Sequence, residues 1–288
     1  MEQPSILFIV EGEKLEYKLI GAMTAAHQVS CRISCVRTNI HNLYAQLKKD
    51  NFLTEVQAIL QEMNQSAIIR LQERLNNRTA KRIAELERDN AILRERHAYV
   101  YLVFDAEIQH GLNLKLHTEE ERQRVIKRNA RELSEMADFF NNETEHGKLY
   151  INYPMMESFK DCDDFFDDGY RDRAVTLDEL CHKPGYKAMI HDRKLANVRP
   201  EKISRKEYSQ LTLMNVCKLS WLCVRRWDRL SYKKYRQYSQ QSEILDKMQQ
   251  ELAMQMKMPI LNTLMFFIID YFGKSKYKRI VRQLKKKP

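Results

Sequence analysis

The most apolar early stretch of the chain, Ile6 to Val10, runs unbroken and then meets Glu11-Gly12-Glu13. A short apolar run bounded by polar residues predicts a strand buried on both faces. A second such run, "YVYLVF" at 99–104, ends on Asp105 and Glu107, and a third, within "GKLYINYPMMESF", ends at Pro154 with Glu157 close behind. "CRISCVRT" at 31–38 alternates apolar and polar positions, the pattern of another strand. Helical spacing covers Glu16 to Thr24, with Leu15, Leu19 and Ile20 on one side, and a charged helix is expected over about 118–140. The order β-α-β, long helices, β-α-β predicts an α/β protein with a parallel sheet and helices on its faces.

From 42 to 97 the pattern changes. This stretch has no glycine or proline and is rich in Leu, Ile, Gln, Glu and Arg. It predicts two or more long helices, arranged as an antiparallel hairpin, inserted between two strands. Leu71, Leu75, Ile83, Leu86 and Leu93 supply a candidate packing stripe. A coiled-coil arm and an ordinary helical layer on the sheet both satisfy this pattern. An acidic loop, "DCDDFFDDGYRD", follows Lys160. It lacks the spacing of an EF-hand, so it reads as a solvated or self-repelling loop. Helices are predicted beyond it at about 176–181, 205–225, 232–256 and 258–272. Two domains result: residues 1–160 with the sheet, and 161–288, mostly helical with a basic tail.

Composition narrows this picture. The 288 residues are 43% hydrophobic and 31% charged, enough for a real core, and only seven glycines and six prolines argue against an all-β fold. The net charge of +10 favours a polyanionic partner such as nucleic acid. Six cysteines without a CxxC read as free, mostly buried thiols in a reducing, cytoplasmic setting. Cys181 and His182 with a distant pair would be the alternative, a zinc site. No signal peptide is evident, and the apolar stretch 258–272 is too short to span a bilayer. No Gly-x-Ser-x-Gly elbow or P-loop occurs.

The chemistry lies in where the buried runs end. Functional crevices of open parallel sheets lie beyond the carboxyl ends of their strands. Glu11, Asp105 with Glu107, and Glu157 would meet at that edge. Carboxylates gathered there repel, and a divalent cation offsets the repulsion. Mg²⁺ takes hard oxygen ligands and keeps several waters, so one or two carboxylates suffice for each ion.

On these residues a resemblance can be stated. "ILFIVEGEKLE" resembles the opening motif of Toprim domains, and especially the EGxKTE opening of RloB-like proteins, relatives of the OLD-type Toprim nucleases. "YLVFDAE" resembles the second Toprim motif, Asp-x-Asp after a strand, and "YINYPMMESF" a later segment that leads through Asn and Pro to Glu. The likeness covers roughly residues 5–160, with 42–97 as an insertion. It implies a Toprim-like sheet and phosphodiester cleavage dependent on Mg²⁺ or Mn²⁺. Glu11 would act as general acid/base or metal ligand, Asp105 and Glu107 would hold the metal, and Glu157 would be a further ligand or supporting acid. Glu16 would be a second acid on the first helix. Two positions depart from the pattern: Glu107 stands where Asp is usual, and Leu15 where Thr is usual. A non-catalytic binding or scaffold module is therefore the alternative function.

For the nucleic acid, "RRWDRLSYKKYRQY" at 225–238 interleaves cations with rings, so Arg225, Arg226, Lys233 and Lys234 are candidate phosphate contacts, joined by Lys285, Lys286 and Lys287 in the tail. The rings themselves, Trp227 first, fit the core as well as a stacking role. The resemblance further implies a toxin-like effector of antiphage defence, held by a partner ATPase on the long helices. Self-association into a homo-oligomer would use the same surfaces.

Overall fold

The structure, a computed structural model, describes residues 5–113, 118–181 and 185–284. The chain opens with β1 (Ile6–Val10), α1 (Leu15–Ala26) and β2 (Arg32–Cys35), followed by α2 (Ile40–Lys48), α3 (Val56–Gln72) and α4 (Asn77–Arg94). It returns to the sheet in β3 (Tyr99–Asp105), crosses back by α5 (Glu119–Phe139), and adds β4 (Asn141–Asn142) and β5 (Gly147–Asn152). The sheet order is β2-β1-β3-β5-β4. β1 pairs in parallel with both β2 and β3, β3 pairs in parallel with β5, and only the short β4 is antiparallel. The α/β class and the mostly parallel sheet expected from the sequence are thus present. So is the adjacency of the two strands that end on Glu11 and Asp105.

The unbroken apolar runs have a direct cause. All five residues of β1 are buried, as are all six of β5, because helices cover both faces of the sheet. Among those helices is α11, which belongs to the carboxyl-terminal half. That half comprises β6 (Ala174–Thr176), α6 (Leu177–Cys181), α7 (Tyr186–Met189), α8 (Arg205–Val224), α9 (Tyr232–Tyr238), α10 (Gln241–Gln255), β7 (Lys257–Pro259) and α11 (Phe267–Leu284). Phe267 of α11 meets Phe8 and Tyr101 edge-on at 4.9 and 5.1 Å between ring centres. Asp270, almost fully buried, accepts from Lys148 Nζ at 2.6 Å and from the hydroxyls of Tyr150 and Tyr235 at 2.8 Å each. One apolar core runs from Ile6 to Ile280, so the two halves share it.

Two of the expected helices change on contact with the structure. The predicted helix 232–256 is two helices, broken at Ser239 and Gln240, where the chain turns so that Gln241 Oε1 accepts from Ile151 N at 3.1 Å. That side chain satisfies a β5 donor that the two-residue β4 cannot reach. The predicted helix 258–272 begins instead as extended chain. β7 pairs with β6, and Leu261 exchanges backbone hydrogen bonds with Tyr153 at 2.8 and 2.9 Å. Pro259 donates no backbone hydrogen bond, and the run is apolar because it is buried on all sides, which periodicity alone does not separate from helix. Helix resumes at Phe267 and is kinked at Gly273, whose φ is +70°.

The 42–97 stretch is a hairpin of α3 and α4 preceded by α2. A buried amide pair, Asn64 Nδ2 to Asn90 Oδ1 at 2.9 Å, ties α3 to α4. Leu86 and Leu93 are buried, but Leu75, at the hairpin turn, is 67% exposed, so the expected stripe stops short of the tip. The base is docked on the sheet edge: Arg37, just past β2, binds Asp89 of α4 and Glu13 together. All six cysteines are free thiols, with Cys35, Cys162 and Cys217 buried. His182 lies outside the described residues, and no three His, Cys, Asp or Glu side chains among those described are grouped as metal ligands. No described helix is long and apolar enough to cross a membrane.

Candidate active site

The strands that end on acids are neighbours, so parallel pairing delivers their carboxylates to one edge. β1 reaches Val10 opposite Val103, and β3 reaches Asp105 opposite Asn152. The strand ends are also stitched together by side chains. Glu11 Oε2 accepts from Asp105 N at 3.3 Å, and Asp105 Oδ1 accepts from Met156 N at 2.7 Å. Ala106 N donates to Asn152 O at 3.0 Å. Met156 begins the 3₁₀ turn 156–160 that carries Glu157, entered through a cis Tyr153–Pro154 peptide.

Glu16 joins from the first turn of α1. A Cβ added at Gly12 would stand 2.6 Å from both its carboxylate oxygens. Glycine at 12 therefore leaves room for the Glu16 carboxylate beside the β1 terminus, and a side chain there would displace it. This is the local reason for Glu-Gly after the strand.

Glu107 sits in left-handed backbone, with φ +39°. For a residue that is not glycine this conformation carries strain. It is held from behind. His41 Nε2 lies 3.2 Å from Glu107 O while its Nδ1 lies 2.7 Å from Glu132 Oε2. His110 Nδ1 is 3.6 Å from the Glu107 carboxylate and accepts from Asn39 Nδ2 at 3.2 Å. Glu107 is thus part of a positioned turn.

Electrostatics mark these acids as a group. Burial, then the charge of Glu107, then that of Glu16, push the Glu11 carboxyl up to about 8, against the Asp105 N–H and Lys187. Burial raises Asp105 well above the carboxylate range, reinforced by Glu11, Glu157 and Glu16. Glu16 is raised by burial and by Glu157. Glu13 behaves oppositely: burial works to raise it, but hydrogen bonds from Arg37 and Arg82 prevail and lower it. Glu13 therefore belongs to the hairpin dock and not to the acid group.

One cation at this edge went unread in the sequence. Lys187, on the short α7, places Nζ 2.6 Å from Glu157 Oε1. Burial alone would lower its pKa, but Glu157, Asp105 and Glu16 outweigh that and raise it. Its signal in the sequence is slight, a lone lysine after Gly185-Tyr186. The approach depends on the chain folding back from 161 onward.

The other predicted contacts lie elsewhere. Arg225, in left-handed backbone at the end of α8, pairs with Glu251 and stacks over Trp221 at 6.0 Å. Arg226, Lys233 and Lys234 are exposed. α9 is tied through Tyr235 to Asp270 and so to Lys148 at the start of β5, the sheet edge opposite the acids. Tyr235 is buried, Tyr232 and Tyr238 pack on the core, and Trp227 donates to Asp168 at 2.8 Å. The rings serve packing. Lys285, Lys286 and Lys287 lie outside the described residues.

As a metal site the donors fit in kind, since all are hard carboxylate oxygens gathered at one strand edge. No three of them converge on one point. That suits an ion that keeps most of its waters and takes one or two carboxylates.

Fold and site together define an α/β protein with a carboxylate cluster at the carboxyl edge of its sheet. Compared with protein-family models, curated proteins and solved structures, the chain has no match in any of the three.

Proposed function

We propose that the chain is a Mg²⁺- or Mn²⁺-dependent nuclease of the Toprim type, cleaving phosphodiesters of DNA or structured RNA. One observation carries this reading: Glu11, Asp105 and Glu16 are all pushed upward at a single strand edge by burial and one another, with Glu107 and Glu157 contributing charge. A group so arranged is destabilising unless a cation and an anionic substrate complete it. Asp105, Glu107 and Glu157 are the ligand candidates. Glu11, with a pKa near neutral, is suited to hold or pass a proton. A bound divalent ion would supply charge stabilisation on the phosphoryl and leaving oxygens. The strained Glu107 backbone is the kind of local cost that accompanies a working site.

The test is cleavage of plasmid DNA, single-stranded DNA and folded RNA in Mg²⁺ or Mn²⁺. Activity should vanish in EDTA and fall at least about 10²-fold in Glu11→Gln and in Asp105→Asn. Full activity in either condition overturns the proposal. A second reading, a non-catalytic scaffold, is favoured by the Lys187–Glu157 ion pair, which already gives the acids one cation. Absence of both cleavage and Mn²⁺ binding would establish it. The wider role, an antiphage effector held by a partner ATPase, rests on the motif resemblance. Expression with and without a candidate partner, scored by growth arrest that Glu11→Gln relieves, tests it.

A further inference from the structure

Beside the acids runs a groove of about 750 Å³ whose walls carry Lys14, Lys18, Lys160, Arg199 and Lys202 against a single carboxylate, Glu201. We propose that this groove is the track for the phosphate backbone of the nucleic acid, entering the acid cluster from the α1 side. The proposal rests on the nuclease reading and adds where the strand lies and how it is held.

Both walls adjoin the site. Lys14 stands between Glu13 and Leu15, one turn before Lys18, on the helix that also presents Glu16. Lys160 ends the same 3₁₀ turn that carries Glu157. Its ammonium donates to Ala196 O at 3.0 Å and so fixes the far wall, the segment that continues into the turn Pro200–Lys202. The groove therefore starts within a turn of two of the acids and keeps its shape without a ligand.

The charges are available. Lys14, Lys18, Arg199 and Lys202 are exposed, and none of them forms an ion pair or side-chain hydrogen bond among the described residues. Elsewhere on this molecule arginines near acids are paired, as Arg37, Arg173 and Arg225 show.

No aromatic ring lines the groove. Bases cannot be held by stacking there, so affinity comes from phosphate neutralisation and carries no sequence preference. The basic, ring-bearing segment 225–238 is the rival track, but α9 faces the other edge of the sheet and its buried rings serve the core.

The test is fluorescence anisotropy with short labelled single strands, one of poly(dT) and one of mixed sequence, in EDTA, using Asp105→Asn protein so that no strand is cut. The Lys18→Ala/Lys202→Ala double variant is compared with Lys233→Ala/Lys234→Ala across a salt series. Each lost phosphate contact lowers the slope of log affinity against log salt by about 0.7 for a single strand. The groove variant should lose about 1.4 from that slope, equally for both sequences, while the α9 variant keeps it. An unchanged slope in the groove variant, a loss in the α9 variant instead, or no binding by the parent protein overturns the groove. If the groove variant loses slope but wild-type protein cuts nothing with Mg²⁺ or Mn²⁺, the groove stands and the nuclease reading falls. If wild-type protein cuts but binding does not depend on the groove, the nuclease reading stands and the groove falls.

Discussion

Two acidic regions of the molecule differ in almost every physical respect. The loop 161–168 holds Asp161, Asp163, Asp164, Asp167 and Asp168, as many acids as the strand edge, yet its charges are compensated. Arg173 reaches Asp161 and Asp163 at 2.9 Å and Asp167 at 2.8 Å, and Arg193 adds a contact to Asp161 at 3.0 Å. Burial works to raise Asp163, but the Lys194 N–H and Arg173 prevail and lower it. Among the described residues the strand edge has Lys187 as its ion-paired lysine, and there Glu11, Asp105 and Glu16 are all raised. The first cluster is a structural knot closed by its own arginines. The second stores repulsion that a ligand can relieve. Acid density alone does not indicate a cation site; what separates the two regions is whether the fold supplies the acids with partners.

The sharpest way to break this contrast is to open the knot. Arg173 is mostly buried, and Arg173→Ala would take the ion-pair partner from Asp167 and leave Asp161 to Arg193 alone. Removing one member of a buried pair costs about 3–5 kcal/mol. Denaturant unfolding should show a loss of that order, and metal should not restore it. A loss under about 1 kcal/mol would mean that solvent already screens the loop.

At the strand edge the effect has the opposite sign. Glu11 is raised from 4.5 to about 8 in the folded protein. A raised folded pKa contributes stability that is full below the unfolded value and lost as pH rises through the folded one. Metal-free protein should therefore lose stability between about pH 4.5 and 8 on account of Glu11, and Asp105 acts in the same direction. Glu11→Gln should be neutral near pH 5 and stabilising near pH 8, by roughly 2–4 °C for each kcal/mol relieved. Mn²⁺ should stabilise wild type most at the alkaline end, by about 2.7 kcal/mol at a hundredfold excess over its Kd, and should fail to do so in Asp105→Asn. Thermal melts across pH, with and without metal, check both. A wild type that grows steadily more stable up to pH 8 without metal would contradict the repulsion.

What the sequence disclosed follows from which forces are local. An unbroken apolar run ending on an acid encodes a buried strand and its terminus in adjacent residues, so β1, β3 and the placement of Glu11 and Asp105 were legible. The capped helices were legible too: Thr118 with Glu121 and Ser204 with Glu207 form reciprocal caps at the expected starts of α5 and α8. What failed depends on distant partners. Nothing near Ser239 signals a break, because its reason is the unfilled Ile151 donor on β5. The stretch 258–261 is apolar through burial, and its extended form comes from β6 and Tyr153. The acidic loop read as self-repelling because Arg193 lies 32 residues from Asp161, although Arg173 was nearby. Lys187 reaches Glu157 by the same fold-back.

Lys187 gives the smallest effect and the finest test of the contrast, because it is the strand edge's ion-paired counterpart to Arg173 among the described residues. Its side chain is 64% exposed, so its pairing with Glu157 adds little to stability, and Lys187→Met should change unfolding by less than about 1 kcal/mol. The consequence should appear in titration and metal binding instead. Lys187 lowers Glu11 and Glu16 by its charge, so removing it should move their titration further up. It also repels any cation drawn to the same acids. At a fixed pH above 8, where Glu11 is ionised, Mn²⁺ should bind Lys187→Met roughly two- to tenfold more tightly, equivalent to about 0.4–1.4 kcal/mol of repulsion removed. Isothermal titration of both proteins at that pH measures this directly. Weaker binding would mean that the ammonium orients Glu157 for the ion more than it competes with it, and the strand edge would then depend on its one cation much as the loop depends on Arg173.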